Sequence, residues 1–393
     1  MEIKWFDARI ILDTRGEKTI EVSVFSNAGK FSASAPNGKS KGRFEARPWK
    51  ISIEKDISAI KKQKLKNISI NSFDELEKIE KIFGGKIGAN SMIALEYAIL
   101  KALAKEKNCA VWQLINSNAK KIPMPVGNAV GGGAHTKAEK KPDFQEFLFI
   151  PEEKSFKKAV EINKIARETC ADILKNIDDS FKRKTNDENA WITSISDELV
   201  IDAMKQTAEK IKEKYKINLK IGADVASSGF FKNGRYHYKN QRKSFSKNEQ
   251  MKYISLISRG MFYIEDFFEQ NDFKSFSDIL KIIKNNNPNS LIVGDDLTAT
   301  DYIRILKAIK EKSINAVILK PNQNGSLIEL KKIVELCNKN NIKKIFSHRS
   351  GETKDNILAD IAFGFEADFI KAGICGFGRE EKLKRMIEID NLI

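Results

Sequence analysis

The sequence predicts an α/β protein in which a smaller N-terminal α+β domain precedes a C-terminal βα barrel. Short apolar runs alternate with amphipathic helical stretches through the second half of the chain, whereas the first 120 residues follow a different pattern. At 393 residues the chain exceeds one typical domain. The Pro- and Gly-rich stretch PMPVGNAVGGG, which follows Ile122, suits a domain junction. We therefore predict domains over residues 1–121 and 122–393.

The N-terminal domain begins with a hairpin pattern and continues with helical patterns. EVSVFSNAGKFSASAP alternates apolar and polar residues on both sides of Asn27-Ala28-Gly29, which predicts two antiparallel strands joined by a tight turn. SFDELEKIEKIFGG predicts a helix with Ser72 as its N-cap, and NSMIALEYAILKALAKEKN predicts a longer helix that is apolar on most faces. Together these patterns predict an α+β cap domain.

Six apolar runs of the C-terminal domain each end on a residue that could bind a divalent cation or move a proton. In a βα barrel the C-terminal ends of the parallel strands converge on one mouth, so these side chains would share a pocket. The six residues are Asp224, Glu265, Asp295, Lys320, His348 and Lys371.

The types of these residues indicate a chemistry. Carboxylates without a Cys or His cluster suit a hard cation such as Mg²⁺, and a lysine beside bound metal can lose its proton and act as a base. Each acid alone would more often be a helix N-cap or a loop carboxylate, but recurrence at three successive strand ends favours a metal site. In VGDDLT we assign the second acid, Asp296, to capping the next helix. The pocket suits removal of a weakly acidic proton from an anionic substrate.

Charge and cysteine usage limit the class of protein. The net charge of +16 comes from lysines spread through nearly every predicted helix, and clusters such as KKQKLK lack interleaved aromatic residues. We therefore expect no specific nucleic-acid binding, although a positive field would attract a small polyanion. We expect a soluble cytoplasmic protein with reduced thiols, because no apolar run has the length of a membrane span and the cysteines form no CxxC pair. They are Cys109, Cys170, Cys337 and Cys375.

Several stretches, in their order and spacing along nearly the whole chain, resemble the enolase family. They are ARIILDTRGEKTIEVSV, GDDLTATD, LKPNQNGSL and SHRSGETKDNILADIAFGFEADFIKAG. The resemblance implies an enolase-type barrel with a cap domain, and a cytoplasmic homodimer. It also implies the reversible dehydration of 2-phosphoglycerate to phosphoenolpyruvate, in glycolysis and gluconeogenesis, by a lysine base with two Mg²⁺ ions per site.

The resemblance also implies a role for each matching residue of this chain. The first Mg²⁺ would be held by Asp224, Glu265 and Asp295, and the second with help from Ser40. The catalytic residues would be Lys320 as the base, Glu188 and Glu146 on the acid side, and His348. Substrate would be bound by His135, Gln145, Arg349, Ser350 and Lys371. Since two neighbouring carboxylates raise the pKa of one of them, we expect one acid of the Glu146–Glu188 pair to be protonated.

Three loops and the dimer segment depart from the family pattern. The first loop carries two added lysines around Ser40, and the second is slightly longer than usual after His135. In the third, residues 186–190, glycines are replaced, which restricts the backbone and predicts altered closure. Arg15 and Glu21 favour a dimer, whereas the 388–390 segment reverses a charge of the family's dimer helix.

Three hypotheses remain open at this point. The first is a working enolase, which the combined metal, base, acid and phosphate groups favour. The second is a related lyase or racemase acting on another 2-hydroxy acid, against which Arg349 and Ser350 argue. The third is a catalytically weakened relative that acts as a binding or scaffold protein, which the altered loops favour.

Overall fold

The computed structural model describes residues 1–39, 42–63 and 68–393. Its strands are β1 (Glu2–Leu12), β2 (Lys18–Ser26), β3 (Gly29–Ser34), β4 (Ile68–Ser69), β5 (Met124–Gly131), β6 (Glu146–Pro151), β7 (Trp191–Ile192), β8 (Leu219–Asp224), β9 (Phe231–Lys232), β10 (Arg235–Tyr238), β11 (Lys243–Phe245), β12 (Tyr263–Glu265), β13 (Leu291–Gly294), β14 (Ala316–Leu319), β15 (Lys343–Ser347) and β16 (Phe369–Lys371). Its helices are α1 (Ile53–Lys62), α2 (Leu76–Phe83), α3 (Ala89–Glu106), α4 (Val111–Ile115), α5 (Phe156–Ile177), α6 (Asp197–Tyr215), α7 (Lys247–Ile257), α8 (Phe273–Asn286), α9 (Tyr302–Lys310), α10 (Pro321–Asn324), α11 (Leu327–Lys339), α12 (Ile357–Gly364) and α13 (Glu380–Asp390).

The N-terminal part forms an antiparallel sheet in the order β3-β2-β1-β4, covered by helices. The predicted hairpin is confirmed, because β2 and β3 pair directly and Gly29 has a φ of +116°, which favours glycine. The long apolar α3 is buried over most of its surface, as predicted. The predicted N-cap at Ser72 is wrong: α2 begins after Glu75, and Ser72 lies in the turn before it.

The C-terminal part forms a closed barrel of eight strands in the order β5-β6-β8-β12-β13-β14-β15-β16, with β16 pairing back to β5. The six predicted strand ends coincide with β8 and β12 to β16, or with the residue after them. All neighbours are parallel except β6, which runs antiparallel to β5 and β8. Because β6 runs in the opposite direction, its first residue, Glu146, lies at the same mouth as the last residues of the other strands.

The alternation of side chains along each strand explains which groups point into the barrel. Apolar residues of the strands fill the interior in one packed cluster. A residue two positions later on the same strand points to the same side, towards the mouth. The resulting pairs of interior residue and mouth residue are Tyr263 with Glu265, Val293 with Asp295, Ile318 with Lys320, and Phe369 with Lys371.

The N-terminal part contacts the barrel mouth through the β1–β2 loop and the segment after β3. The amide of Thr14 donates to the carbonyl of Glu352 at 2.9 Å, and the amide of Asn37 donates to the carbonyl of Gly351 at 2.7 Å. The predicted boundary at 121/122 falls between the end of α4 and the start of β5. Within the described ranges, no helix has the length and apolar character required to cross a membrane. The four cysteines are free thiols.

Candidate active site

A cavity lies at the barrel mouth, between the strand ends and the residues Gly38, Lys39 and Glu45. It is lined by every predicted site residue that the structure describes, with the exception of Glu265, which is fully buried and contacts Lys371. Ser40, the predicted ligand of a second metal ion, lies outside the described residues. Residues at the ends of β6, β8 and β12 to β16, together with residues from several loops, are therefore brought to one cavity.

Lys371 lies among three carboxylates at the end of β16. Its Nζ is 2.7 Å from Glu146 Oε2, 2.9 Å from Glu265 Oε2 and 3.6 Å from Asp224 Oδ2. Burial alone would lower the pKa of Lys371, but the charges of Glu146 and Glu265 raise it well above the usual lysine value. Lys371 is therefore a fixed positive charge in the floor of the cavity.

Lys320 is paired with Asp295 across β13 and β14. Its Nζ donates to Asp295 Oδ2. Burial opposes a charge on Lys320, yet the Asp295 carboxylate outweighs burial and raises the pKa of the lysine. The pairing with Asp295 therefore favours the charged form of Lys320.

The three carboxylates at the ends of β8, β12 and β13 are the predicted ligands of a divalent cation. Among the described residues, the acids whose ligand atoms lie within 4.8 Å of one another are instead Asp266, Asp295 and Asp296. Burial and the charge of Glu265 raise the pKa of Asp224 well above its usual range, whereas at Asp295 the charge of Lys320 outweighs burial and lowers the pKa. Among the described residues, the buried Glu265 Oε1 has no hydrogen-bond partner. Carboxylate oxygens are the ligands that hard divalent cations prefer.

A fourth acid, Asp266, shapes the turn after β13. It adopts a left-handed φ of 45°, and its carboxylate accepts the amides of Asp295 at 3.1 Å and Asp296 at 2.5 Å. The assignment of Asp296 as a helix cap is wrong, because α9 is capped by Asp301, which accepts the amide of Arg304. Asp296 instead lines the cavity, where burial and the nearby Asp295 charge raise its pKa to about 6.

The acid side of the cavity is organised around His135. Its Nδ1 lies 3.4 Å from Glu146 Oε1 and 3.4 Å from Glu188 Oε1. Burial opposes a charge on the imidazole, but the Glu188 and Glu146 carboxylates raise the pKa of His135 above its usual value. The raised pKa expected from paired carboxylates is not found at Glu146: burial would raise it, but Lys371 and His135 lower the pKa well below the usual value. At Glu146 the charges of Lys371 and His135 thus outweigh the effect of burial.

The loop that carries Glu188 is held by hydrogen bonds. Asn186 Oδ1 accepts the amides of Glu188 at 2.9 Å and Ala190 at 3.0 Å. The Nε and Nη2 groups of Arg167 both donate to the carbonyl of Asn189, at 3.1 and 2.9 Å. Asn189 has a left-handed φ of 61°, a conformation that asparagine tolerates better than most non-glycine residues. The replacement of glycine therefore keeps the turn.

We expect Asn189→Gly to retain activity and Asn189→Val to lose it. A β-branched side chain at a left-handed φ costs roughly 1–2 kcal/mol, which would shift the loop and Glu188 with it. The measurement is kcat of both variants, with circular dichroism to check that each variant is folded. Equal activity of the valine and glycine variants would contradict the requirement for a left-handed residue.

The cavity also contains an arginine whose guanidinium is already bound to an acid. Arg349 donates through Nη2 to Glu45 Oε2 at 2.8 Å and through Nη1 to Asn322 Oδ1 at 3.1 Å. The hydroxyl of Ser350 accepts from Arg15 Nη1 at 2.9 Å and from the amide of Lys39 at 2.8 Å. A buried guanidinium fork beside further donors suits an anionic group of a ligand.

Two further site residues have different environments. Gln145 Nε2 donates to Asp224 Oδ2 at 3.2 Å, so it orients a predicted metal ligand. His348 is buried, and burial together with the Arg379 charge lowers its pKa well below the usual value. His348 therefore faces the cavity as a neutral imidazole.

Sequence reasoning missed several residues of the site. Asp266 directly follows Glu265, and Asn322 and Gln323 lie in the quoted LKPNQNGSL stretch, so proximity to predicted residues was the available signal. Gln323 donates to Glu45 Oε1 at 3.3 Å and to Asp295 Oδ1 at 3.5 Å. Arg15, which the sequence associated with a dimer, lies against Ser350 of its own chain.

Comparison with known proteins identifies the family of this chain. The family model described as "Enolase, C-terminal TIM barrel domain" matches residues 119–393, and "Enolase, N-terminal domain" matches residues 3–115. An enolase of Thermoplasma acidophilum is 32% identical over 100% of this chain and 99% of its own length. Enolases of Archaeoglobus fulgidus (32% identical; 98% and 96% covered) and Methanocorpusculum labreanum (33%; 97% and 97%) are similar. The chain therefore belongs to the enolase family, the lyases also called phosphopyruvate hydratases.

Proposed function

We propose that this protein interconverts 2-phosphoglycerate and phosphoenolpyruvate in glycolysis and gluconeogenesis, as a cytoplasmic homodimer. The observation that carries the proposal is that one cavity is lined by Lys320, Lys371, Asp224 and Asp295, with the buried Glu265 against Lys371, and also by the His135–Glu146–Glu188 cluster. Arg349 and Ser350 supply donors for a phosphate at the same cavity. Base, acid and anion-binding groups would then act on a single small molecule.

The proton next to a carboxylate is weakly acidic, because its removal leaves a second negative charge beside the first. Lys320 is assigned as the base that takes this proton, once its ion pair with Asp295 has separated. The buried ammonium of Lys371 would face the developing charge without needing to reorganise. Asp224, Glu265 and Asp295 would hold one Mg²⁺ and Ser40 would help hold a second; when bound, these ions stabilise negative charge on the substrate carboxylate.

Departure of the C3 hydroxyl needs a proton on the other side of the substrate. Glu188 is assigned this role, with Glu146 and His135 beside it, since the three ligand atoms lie within 4.8 Å of one another. Asn128 Nδ2 donates to Glu188 Oε2 at 3.4 Å and orients the carboxyl group. Neutral His348 and Gln145 would contact the bound substrate.

The test of the proposal is the ultraviolet absorbance of phosphoenolpyruvate formed from 2-phosphoglycerate by the full-length protein. We expect turnover with Mg²⁺ and none with excess chelator, restored when Mg²⁺ is added back. A folded, Mg²⁺-bound protein that forms no phosphoenolpyruvate would overturn the proposal and favour a binding or scaffold role. Light scattering at the protein concentration of the assay measures the molar mass in solution and so tests whether the protein is a dimer.

We expect Arg349→Lys to raise KM for 2-phosphoglycerate by about 10- to 100-fold, because lysine keeps the charge but loses the two-pronged guanidinium fork. Steady-state kinetics over a range of substrate concentrations measures the effect. The control is Arg235→Lys, an exposed arginine of β10 that lies outside the cavity. An unchanged KM in Arg349→Lys would remove Arg349 from the phosphate site.

A further inference from the structure

Arg379 is a fully buried arginine that has no assigned role in the proposed reaction. It immediately precedes α13, and its side chain has a relative exposure of 0%. Arginine is almost never completely buried unless a partner compensates its charge. The buried charge of Arg379 lies beside Glu188, so we ask which groups compensate it.

The guanidinium of Arg379 connects two segments of the site. Its Nη2 donates to the carbonyl of Ser350 at 3.1 Å and lies 4.0 Å from Glu188 Oε1. Among the described residues, its Nε and Nη1 groups have no hydrogen-bond partner. The buried guanidinium therefore has two polar contacts among the described residues. It donates one hydrogen bond to the main chain of Ser350, and its nearest acidic oxygen belongs to Glu188.

The local backbone is built around this side chain. Gly373 has a φ of +74°, and a Cβ there would lie 2.8 Å from Arg379 Cδ, so a side chain at this position would displace the arginine. Gly376 has a φ of +102°, and a Cβ there would lie 1.9 Å from Asn189 Nδ2. Both glycines thus let the segment before α13 approach the guanidinium and the loop that carries Glu188.

We propose that Arg379 is a positioning residue that fixes the Glu188 carboxyl group relative to the main chain of Ser350. This inference rests on the proposed function and deepens it. The acid side and the phosphate side of the cavity come from distant parts of the chain, and Arg379 holds both. The role predicts a selective effect: Glu188 is needed for loss of the C3 hydroxyl, whereas removal of the C2 proton is assigned to Lys320.

The experiment compares two rates in the full-length protein with Mg²⁺. Exchange of the C2 proton of 2-phosphoglycerate in D₂O is followed by proton NMR, and dehydration is followed by phosphoenolpyruvate absorbance. In Arg379→Met we expect dehydration to fall by about 10²-fold while C2 exchange falls less than about threefold. Arg379→Lys keeps the charge but not the fork, so we expect partial recovery of dehydration.

The matched control is Arg385→Met, in α13, the helix that follows Arg379. Arg385 donates from Nε and Nη2 to Asp360 at 2.8 Å and lies outside the cavity, so its loss should lower stability without changing the ratio of the two rates. A parallel fall of both rates in Arg379→Met, or no fall in either, would overturn the positioning role. If Arg379→Met does not fold, the ratio of dehydration rate to C2 exchange rate in Arg379→Lys is used instead. An unchanged ratio in that variant would also overturn the positioning role. Absence of both reactions in the unmodified protein would instead refute the proposed function.

Discussion

Replacing Lys320 by alanine is expected to slow the formation of phosphoenolpyruvate from 2-phosphoglycerate by about 10²- to 10⁴-fold, the range that a positioned acid or base contributes. Lys320 follows β14, and its amide is held by Thr300 Oγ1 at 3.0 Å, so the base sits on a rigid strand end. Its side chain points to the same side as the interior residue Ile318. Lys371 is held between carboxylates, so we do not expect it to replace Lys320 as the base.

The control for this prediction is Lys310→Ala, an exposed lysine in the last turn of α9. Both variants should unfold at temperatures close to that of the parent protein. C2 proton exchange in D₂O should be lost in Lys320→Ala together with dehydration, since both require the same proton transfer. Retention of exchange at the parent rate would show that a different group removes the proton.

Asp224→Asn is expected to abolish stabilisation of the fold by Mg²⁺, and with it turnover. The variant replaces one charged oxygen ligand by a neutral amide in a site of three carboxylates, which weakens binding of a hard cation. At a free Mg²⁺ concentration 100 times Kd, binding to the folded state stabilises the parent protein by about 2.7 kcal/mol, and the variant should gain almost none of this.

Thermal unfolding with and without Mg²⁺ measures this difference independently of activity. Asp202→Asn is the control, because Asp202 is an exposed carboxylate of α6, 61% exposed and far from the cavity lining. The parent and the control should show the same rise in Tm with Mg²⁺. A similar rise in Asp224→Asn would show that the ion binds elsewhere.

The carboxylates and lysines of the barrel could be found from sequence because their position depends on a local pattern. A polar residue that follows an apolar run is expected at the end of a strand. Because side chains alternate between the two faces of a strand, residues two positions apart, such as Tyr263 and Glu265, point to the same face. Tyr263 donates to Glu265 at 2.5 Å, so interior and mouth are linked along one strand. The roles of Glu188 and Arg349 came instead from resemblance, because a loop residue carries no periodic signal.

Other features depended on contacts between distant parts of the chain. No local pattern indicates that β6 runs antiparallel and brings Glu146 to Lys371, 225 positions later, where the lysine reverses the expected rise in pKa. No local pattern indicates either that Arg379 lies beside Glu188 or that the carboxylate of Asp266 accepts the amide of Asp296.

The sequence by itself thus determined the barrel, the cap domain and the residue types at the mouth, because hydrophobic periodicity is a property of neighbouring residues. Tertiary structure alone decided which charge faces which, as at Lys320 and Asp295. The electrostatic energy of a buried group depends on its distance to other charges and on its exclusion from water, and both arise only when the barrel closes.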